Sequence, residues 1–250
     1  MKPTTLQNYR TFVSIFLSWL GEKSLSPSSF ARFLTEYRLT HALASTQAVF
    51  SAVRIFLTAI GEVDRLGGIK RPRGESPAKQ AYTEEELTTL FELLKANKSI
   101  VGRRDLAIAS VLLYLGLRAG EVCSLQLDDL GTKLESLTVA GGKTRHARRT
   151  IPLVDFVTNA LTSYLRRSRP KLINNEKCTH LFIGIGGKPL TRNSIALMLG
   201  RKNVPFKVGA HKFRHTFITR HALAQTNPAL IGQLAGWSPR TLVQQIARYT

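Results

Sequence analysis

The stretch ASVLLYLGLRAGEV, residues 109–122, decides how the larger part of this chain is read. Its first half is almost wholly apolar and belongs to a strongly apolar run predicting a helix over about 104–115. The continuation GLRAGEVCSLQLDDL reads as a turn followed by a short helix. Arg118 comes directly after the buried-looking run, and a cation in that place needs a partner. Glu121, three residues on, can hold it. Taken alone, this is an ordinary structural Arg–Glu pair.

Working outward, Thr83 and Glu86 form a capping box ahead of Leu87, Leu90, Phe91 and Leu94. Residues 135–153 predict a β-hairpin: ESLTV, a turn at Ala140-Gly141-Gly142-Lys143, then RRTIPL. Helices are expected at about 155–168 and 191–201, with a short strand LFIG between them. Residues 210–250 read as helical, broken at Asn227-Pro228 and Ser238-Pro239. On the other side, helical spacing covers 4–20, about 26–39 and about 44–60, with Ser26-Pro27 as a start and Gly61 as a stop. The stretch RLGGIKRPRGESPAKQ, 65–80, is rich in Gly, Pro and cations and lacks an apolar period. The fold class is therefore mainly α with a small β-hairpin. A helical N-terminal domain over 1–64 and a basic linker over 65–81 precede a mixed, mostly helical domain over 82–250.

Charge narrows the partners. The 250 residues carry 36 Lys and Arg against 16 Asp and Glu, a net +20. Such a field gathers polyanions, nucleic acid first and an acidic membrane surface second. No apolar run is long enough to span a bilayer, and the cations are spread along the chain rather than on one helix. The N-terminus has no signal-peptide core, and Cys123 and Cys178 fit no disulfide or metal framework. Cys123 is expected as a small core residue, and the protein as soluble and cytoplasmic.

A second stretch, GAHKFRHTF at 209–217, sets His211 and His215 four apart with Lys212 and Arg214 between them. A metal site would want neutral imidazoles and a nearby carboxylate or thiolate. Here the neighbours are cations, which oppose a dication, so no metal is expected. On a helix, His211 and Arg214 share a face, while Phe213 and Phe217 anchor the opposite one. A basic amphipathic helix touching DNA explains this segment equally well. Lys143 alone is a solvated turn, and Tyr249 alone a frayed end.

In order, these residues resemble the tyrosine recombinase (phage integrase) family over nearly the whole chain. GLRAGEV resembles the first-arginine box, so Arg118 matches the first catalytic arginine and Glu121 its supporting acid. GGKTRHARRTIPL resembles the hairpin box with its catalytic lysine at Lys143, and HKFRHTF the box carrying His211 and Arg214. LAGWS resembles the box that usually reads L-G-H, with Trp237 in place of the common histidine. ARYT supplies Tyr249 as the nucleophile, twelve residues after Trp237 where the family usually has about nine. Only Thr250 follows it, so a docking tail is either removed or replaced by the helix bearing Tyr249.

The resemblance implies a site-specific recombinase acting on duplex DNA through a 3′-phosphotyrosyl link, as a tetramer on two duplexes and a monomer when free. Two domains would close around DNA as a C-shaped clamp. No cofactor or metal is implied, because the link conserves bond energy. Candidate DNA contacts are Lys70, Arg71 and Arg73 of the linker, Arg145 of the hairpin, and Lys212. The chain begins almost directly at its helical domain, so a simple recombination site without accessory arm contacts is expected. Two other readings remain open: a catalytically idle DNA-binding protein on this scaffold, and a topoisomerase-like nicking enzyme.

Overall fold

The computed structural model describes residues 3–74, 80–140, 148–173, 178–238 and 241–242. The chain divides into two compact units, Met1–Ala78 and Lys79–Thr250.

The first unit is built from α1 (Pro3–Leu20), α2 (Pro27–Thr40) and α3 (Leu43–Ala59), followed by a 3-10 turn at Val63–Leu66. Ser26 caps α2 through its hydroxyl, which accepts from the Ser29 amide, and Pro27 opens the first turn. The core is aromatic. Phe16 meets Phe30 and Phe33 edge-on at 5.4 and 5.0 Å, a geometry that aligns ring edge with ring face. The segment expected as a linker is partly packed onto this unit. Leu66 is buried, Ile69 lies against the same core, and the Gln47 amide donates to the Pro72 carbonyl at 2.8 Å. Two isolated apolar side chains hold it, too few to register as a periodic pattern.

The second unit runs through α4 (Glu84–Ala96), α5 (Ile100–Tyr114), α6 (Ala119–Ser124), strands β1 (Ser136–Val139) and β2 (Arg149–Pro152), α7 (Asp155–Arg167), α8 (Arg169–Leu172), α9 (Arg192–Gly200), α10 (Ala210–Leu223) and α11 (Pro228–Ala235). The fold is mainly α-helical with one small antiparallel sheet. α5 is its central rod, with Ile108, Val111 and Leu112 fully buried. It starts four residues before the apolar run predicts, because the Ser99 hydroxyl caps the Gly102 amide at 3.0 Å.

In the sheet, Leu137 faces Ile151 and Val139 faces Arg149. The expected strand LFIG is not one. Residues 181–183 are buried, but only isolated bridges form there, one of them between Ile183 and Pro189. The backbone is satisfied instead by Leu125 and by the Tyr164 hydroxyl. A short buried apolar run has no periodicity to separate these cases. Cys123 is half-buried at the edge of the core rather than inside it.

Candidate active site

The site is organised by the end of one short helix. α11 stops at Ala235, where Gly236 turns left-handed at φ 62°. The Gly236 amide then bonds the Gln233 carbonyl and the Trp237 amide bonds the Gly232 carbonyl, at 3.0 and 2.9 Å. That pairing leaves the last carbonyls, Leu234 and Ala235, outside the helix ladder. Arginines take both. Arg149 Nε donates to Leu234 at 2.8 Å. Arg118 Nη1 donates to Ala235 at 3.4 Å, and Arg214 Nη2 donates to the same oxygen. Cations are favoured at a helix C-terminus, where the carbonyls carry partial negative charge.

Each arginine has its own support. Arg118 is the N-cap of α6, and Glu121 in the first turn accepts both its amide, at 2.8 Å, and its Nη1, at 2.9 Å. Arg214 is almost fully buried and also donates to the Gly116 carbonyl at 2.7 Å. Gly116 is required there: its φ is +60°, and a Cβ would lie 2.4 Å from the Phe217 ring. Arg149 reaches Glu121 with two nitrogens, at 3.3 and 3.1 Å. The cluster thus holds three guanidiniums and one carboxylate. With about half a negative charge from the helix end, it keeps an excess of about +1.5. Burial pushes the Glu121 carboxyl up, but the hydrogen bonds from Arg149 and the Arg118 amide, with both guanidinium charges, hold it below its ordinary value.

α10 is gripped on three sides. Lys212, Thr216 and Arg220 form one stripe against the 82–86 segment. Lys212 Nζ contacts both Glu86 oxygens at 3.0 and 2.8 Å and lies 4.2 Å over the Tyr82 ring. The Tyr82 amide donates to Thr216 Oγ1 at 2.8 Å, and Arg220 pairs with Glu84. Phe213 and Phe217 are buried in the core, and Arg214 faces the site. The Gly209 amide donates to the Tyr82 hydroxyl at 2.9 Å, which fixes the start of α10. Burial pushes the Tyr82 phenol up to about 12, so it stays neutral in this role.

His211 is exposed on the first turn of α10, one turn from Arg214. Trp237 is half-buried after the α11 cap, against Phe217, Ile218 and Ile231. Arg118 and Arg214 therefore converge on the Ala235 carbonyl, two residues before Trp237, and Glu121 joins them through Arg118. Lys143, Arg145 and Tyr249 lie outside the described residues. Lys70, Arg71 and Arg73 are exposed on the first unit and, with Arg54, line a concavity of about 510 Å³. Lys212 is committed to Glu86 and Tyr82. Sequence reasoning missed Arg149 and Tyr82. The signal for Arg149 was available: it alternates in phase with Ile151, placing a cation on the core side of the strand. Among the described residues, no three His, Cys, Asp or Glu side chains gather where they could hold a metal ion.

A model of the phage integrase family matches residues 80–250. Tyrosine recombinase XerD of Lacticaseibacillus casei is 26% identical over 254 residues, covering 96% of this chain and 86% of that protein. Among solved structures, the Tn1549 transposon integrase in complex with circular intermediate DNA superposes with a TM-score of 0.78 at 20% identity, over 100% of this chain and 90% of that one. A lambda integrase tetramer bound to a Holliday junction gives 0.74 at 17% identity, over 98% and 72% of the two chains. At these identities the structural likenesses establish a shared fold.

Two outcomes test this geometry. Gly236→Ala puts a Cβ at a left-handed φ and 2.6 Å from Arg149 Nη1. It should cost about 1–2 kcal/mol, lowering the melting temperature by about 2–8 °C; an unchanged melt would show that the cap does not hold the arginines. For Glu121, the folded pKa is depressed, so its contribution to stability is fully present above the unfolded value of about 4.3 and lost as pH falls through the lower folded value. Glu121→Gln should therefore destabilise at pH 7 and flatten the acid limb of a denaturation series below pH 4.5. Parallel acid limbs in both proteins would contradict the pairing.

Proposed function

The chain belongs to the phage integrase family, and from that premise we propose that it is a site-specific DNA recombinase that breaks and rejoins duplex DNA through a tyrosyl-phosphate link. One observation carries the reading: Arg118 and Arg214, 96 positions apart in sequence, donate to one carbonyl oxygen. Two guanidiniums converging in this way suit the non-bridging oxygens of one phosphodiester, because the group is planar, permanently charged and bidentate.

The remaining roles follow from chemistry. Tyr249 is the nucleophile, and its phenol, ordinarily with a pKa of about 10, needs a base or positive field to attack near neutrality. His211 takes that proton. Trp237 positions the phosphate through its indole N–H, which donates but cannot transfer a proton. Lys143 protonates the departing 5′-oxygen. The 3′-phosphotyrosyl bond formed is cleaved by a 5′-hydroxyl from a partner strand, which regenerates the phenol. The residues named require no metal. Lys70, Arg71, Arg73 and Arg145 contact the DNA backbone, and Lys212 positions α10. The active form is a tetramer on two duplexes, as the lambda integrase on its junction, and the protein is cytoplasmic. No helix among the described residues is long and apolar enough to cross a membrane.

The test uses duplexes selected for binding from a random-sequence pool and rebuilt with a nick, so that the short cleaved fragment diffuses away. A denaturation-resistant adduct should map to Tyr249, and Tyr249→Phe should abolish it while sparing binding. An adduct that survives in Tyr249→Phe would refute the assignment. Specific binding without any adduct would make the protein a DNA binder on this scaffold. Relaxation of supercoils without sequence preference would make it a topoisomerase-like enzyme. Arg118→Gln removes a half-exposed side chain, so the protein should fold. It should cut adduct formation by about 10²–10³ while changing affinity only by the share of one phosphate contact. Equal losses in both would reduce Arg118 to a DNA contact.

A further inference from the structure

Arg149 has no direct task in phosphodiester chemistry. Its side chain is 6% exposed and its nitrogens point at Glu121 and at the Leu234 carbonyl. Charge balance gives it one. The Glu121 carboxylate, 10% exposed, sits 2.9 Å from Arg118. Were these two alone, the carboxylate would cancel the charge of Arg118 nearly one for one. A phosphate arriving at Arg118 would meet a neutral pair and, in addition, the repulsion of a poorly screened anion behind it. With Arg149 on the same carboxylate the triad carries net +1, and the cation nearest the solvent keeps its field. Arg149 also approaches from the buried side, where a charge is screened least.

Building on the recombinase reading above, we propose that Arg149 is a positioning residue for strand transfer: it neutralises Glu121 so that Arg118 can present its charge to the scissile phosphate. The role is electrostatic and acts through two other residues. It differs from a purely structural buried ion pair because it depends on the charge of the substrate.

The experiment measures single-turnover adduct formation and DNA affinity separately, on the nicked duplex selected for the wild-type protein. A second duplex carries a methylphosphonate at the scissile position, which removes one negative charge from the phosphate. On the phosphodiester, Arg149→Met should form adduct about 10²-fold more slowly with affinity changed by no more than a few-fold. On the methylphosphonate its defect should shrink at least tenfold relative to wild type on the same duplex. A defect of equal size on both duplexes, or none on the phosphodiester, overturns the proposal. If Arg149→Met does not fold, Arg149→Lys keeps a positive charge beside Glu121 and leaves Glu121 to support Arg118. It should react within about tenfold of wild type, and a loss of about 10²-fold or more would overturn the neutralising role. If wild type itself forms no adduct on either duplex, the recombinase reading falls and this inference with it; a wild-type adduct beside a normal Arg149→Met removes this inference alone.

Discussion

Two carbonyl oxygens at the end of an eight-residue helix gather the charge of this site. A helix end must dispose of its last carbonyls, and the left-handed turn at Gly236 disposes of only part of them. The two left over, Leu234 and Ala235, are met by Arg149, Arg118 and Arg214. The local requirement of backbone satisfaction is thereby turned into a global one: strand β2, the turn before α6 and the helix α10 must all arrive at one point. Glu121 completes the arrangement by accepting from two of the three arginines, so that a cluster of like charges is held without being neutralised.

α10 shows what such convergence demands of a single helix. Its stripes are assigned to different partners: Lys212, Thr216 and Arg220 to the 82–86 segment, Phe213 and Phe217 to apolar cores, Arg214 to the site. A helix with one apolar face would slide or rotate at low cost, whereas one locked by ion pairs and a hydroxyl on one face, aromatic rings on another and a buried arginine on a third will not. The arginine it carries is correspondingly fixed, held at the Gly116 and Ala235 carbonyls.

Much of this was legible in the sequence, and the misses have definite causes. Helix starts with side-chain caps, such as Ser26 and Thr83, announce themselves because the capping chemistry is local. Arg118 and Glu121 stand out because a cation after an apolar run demands a partner, whereas Arg214 is marked by its spacing from His211 and by the resemblance of HKFRHTF to a family box. Ser99 escaped notice because Asn97 and Lys98 hide the cap among polar residues. The LFIG segment misled because its backbone partners, Leu125 and Tyr164, lie far away in sequence. The tie of Lys212 to Glu86 and Tyr82 has no local signal because both partners are more than 120 positions away. Arg149 is legible only from the alternation of β2, in which it shares the inward face with Ile151.

The shared carbonyl also sets an order of events in the life of the chain. The bond from Arg118 to Ala235 spans 117 positions, and that from Arg149 to Leu234 spans 85. Contacts of such separation close late, after the local helices have formed, because the loop entropy must be met before they reward it. A chain short of residue 235 lacks the carbonyl that joins Arg214 to the two arginines held by Glu121. The complete three-arginine cluster therefore exists only in a chain folded through residue 235.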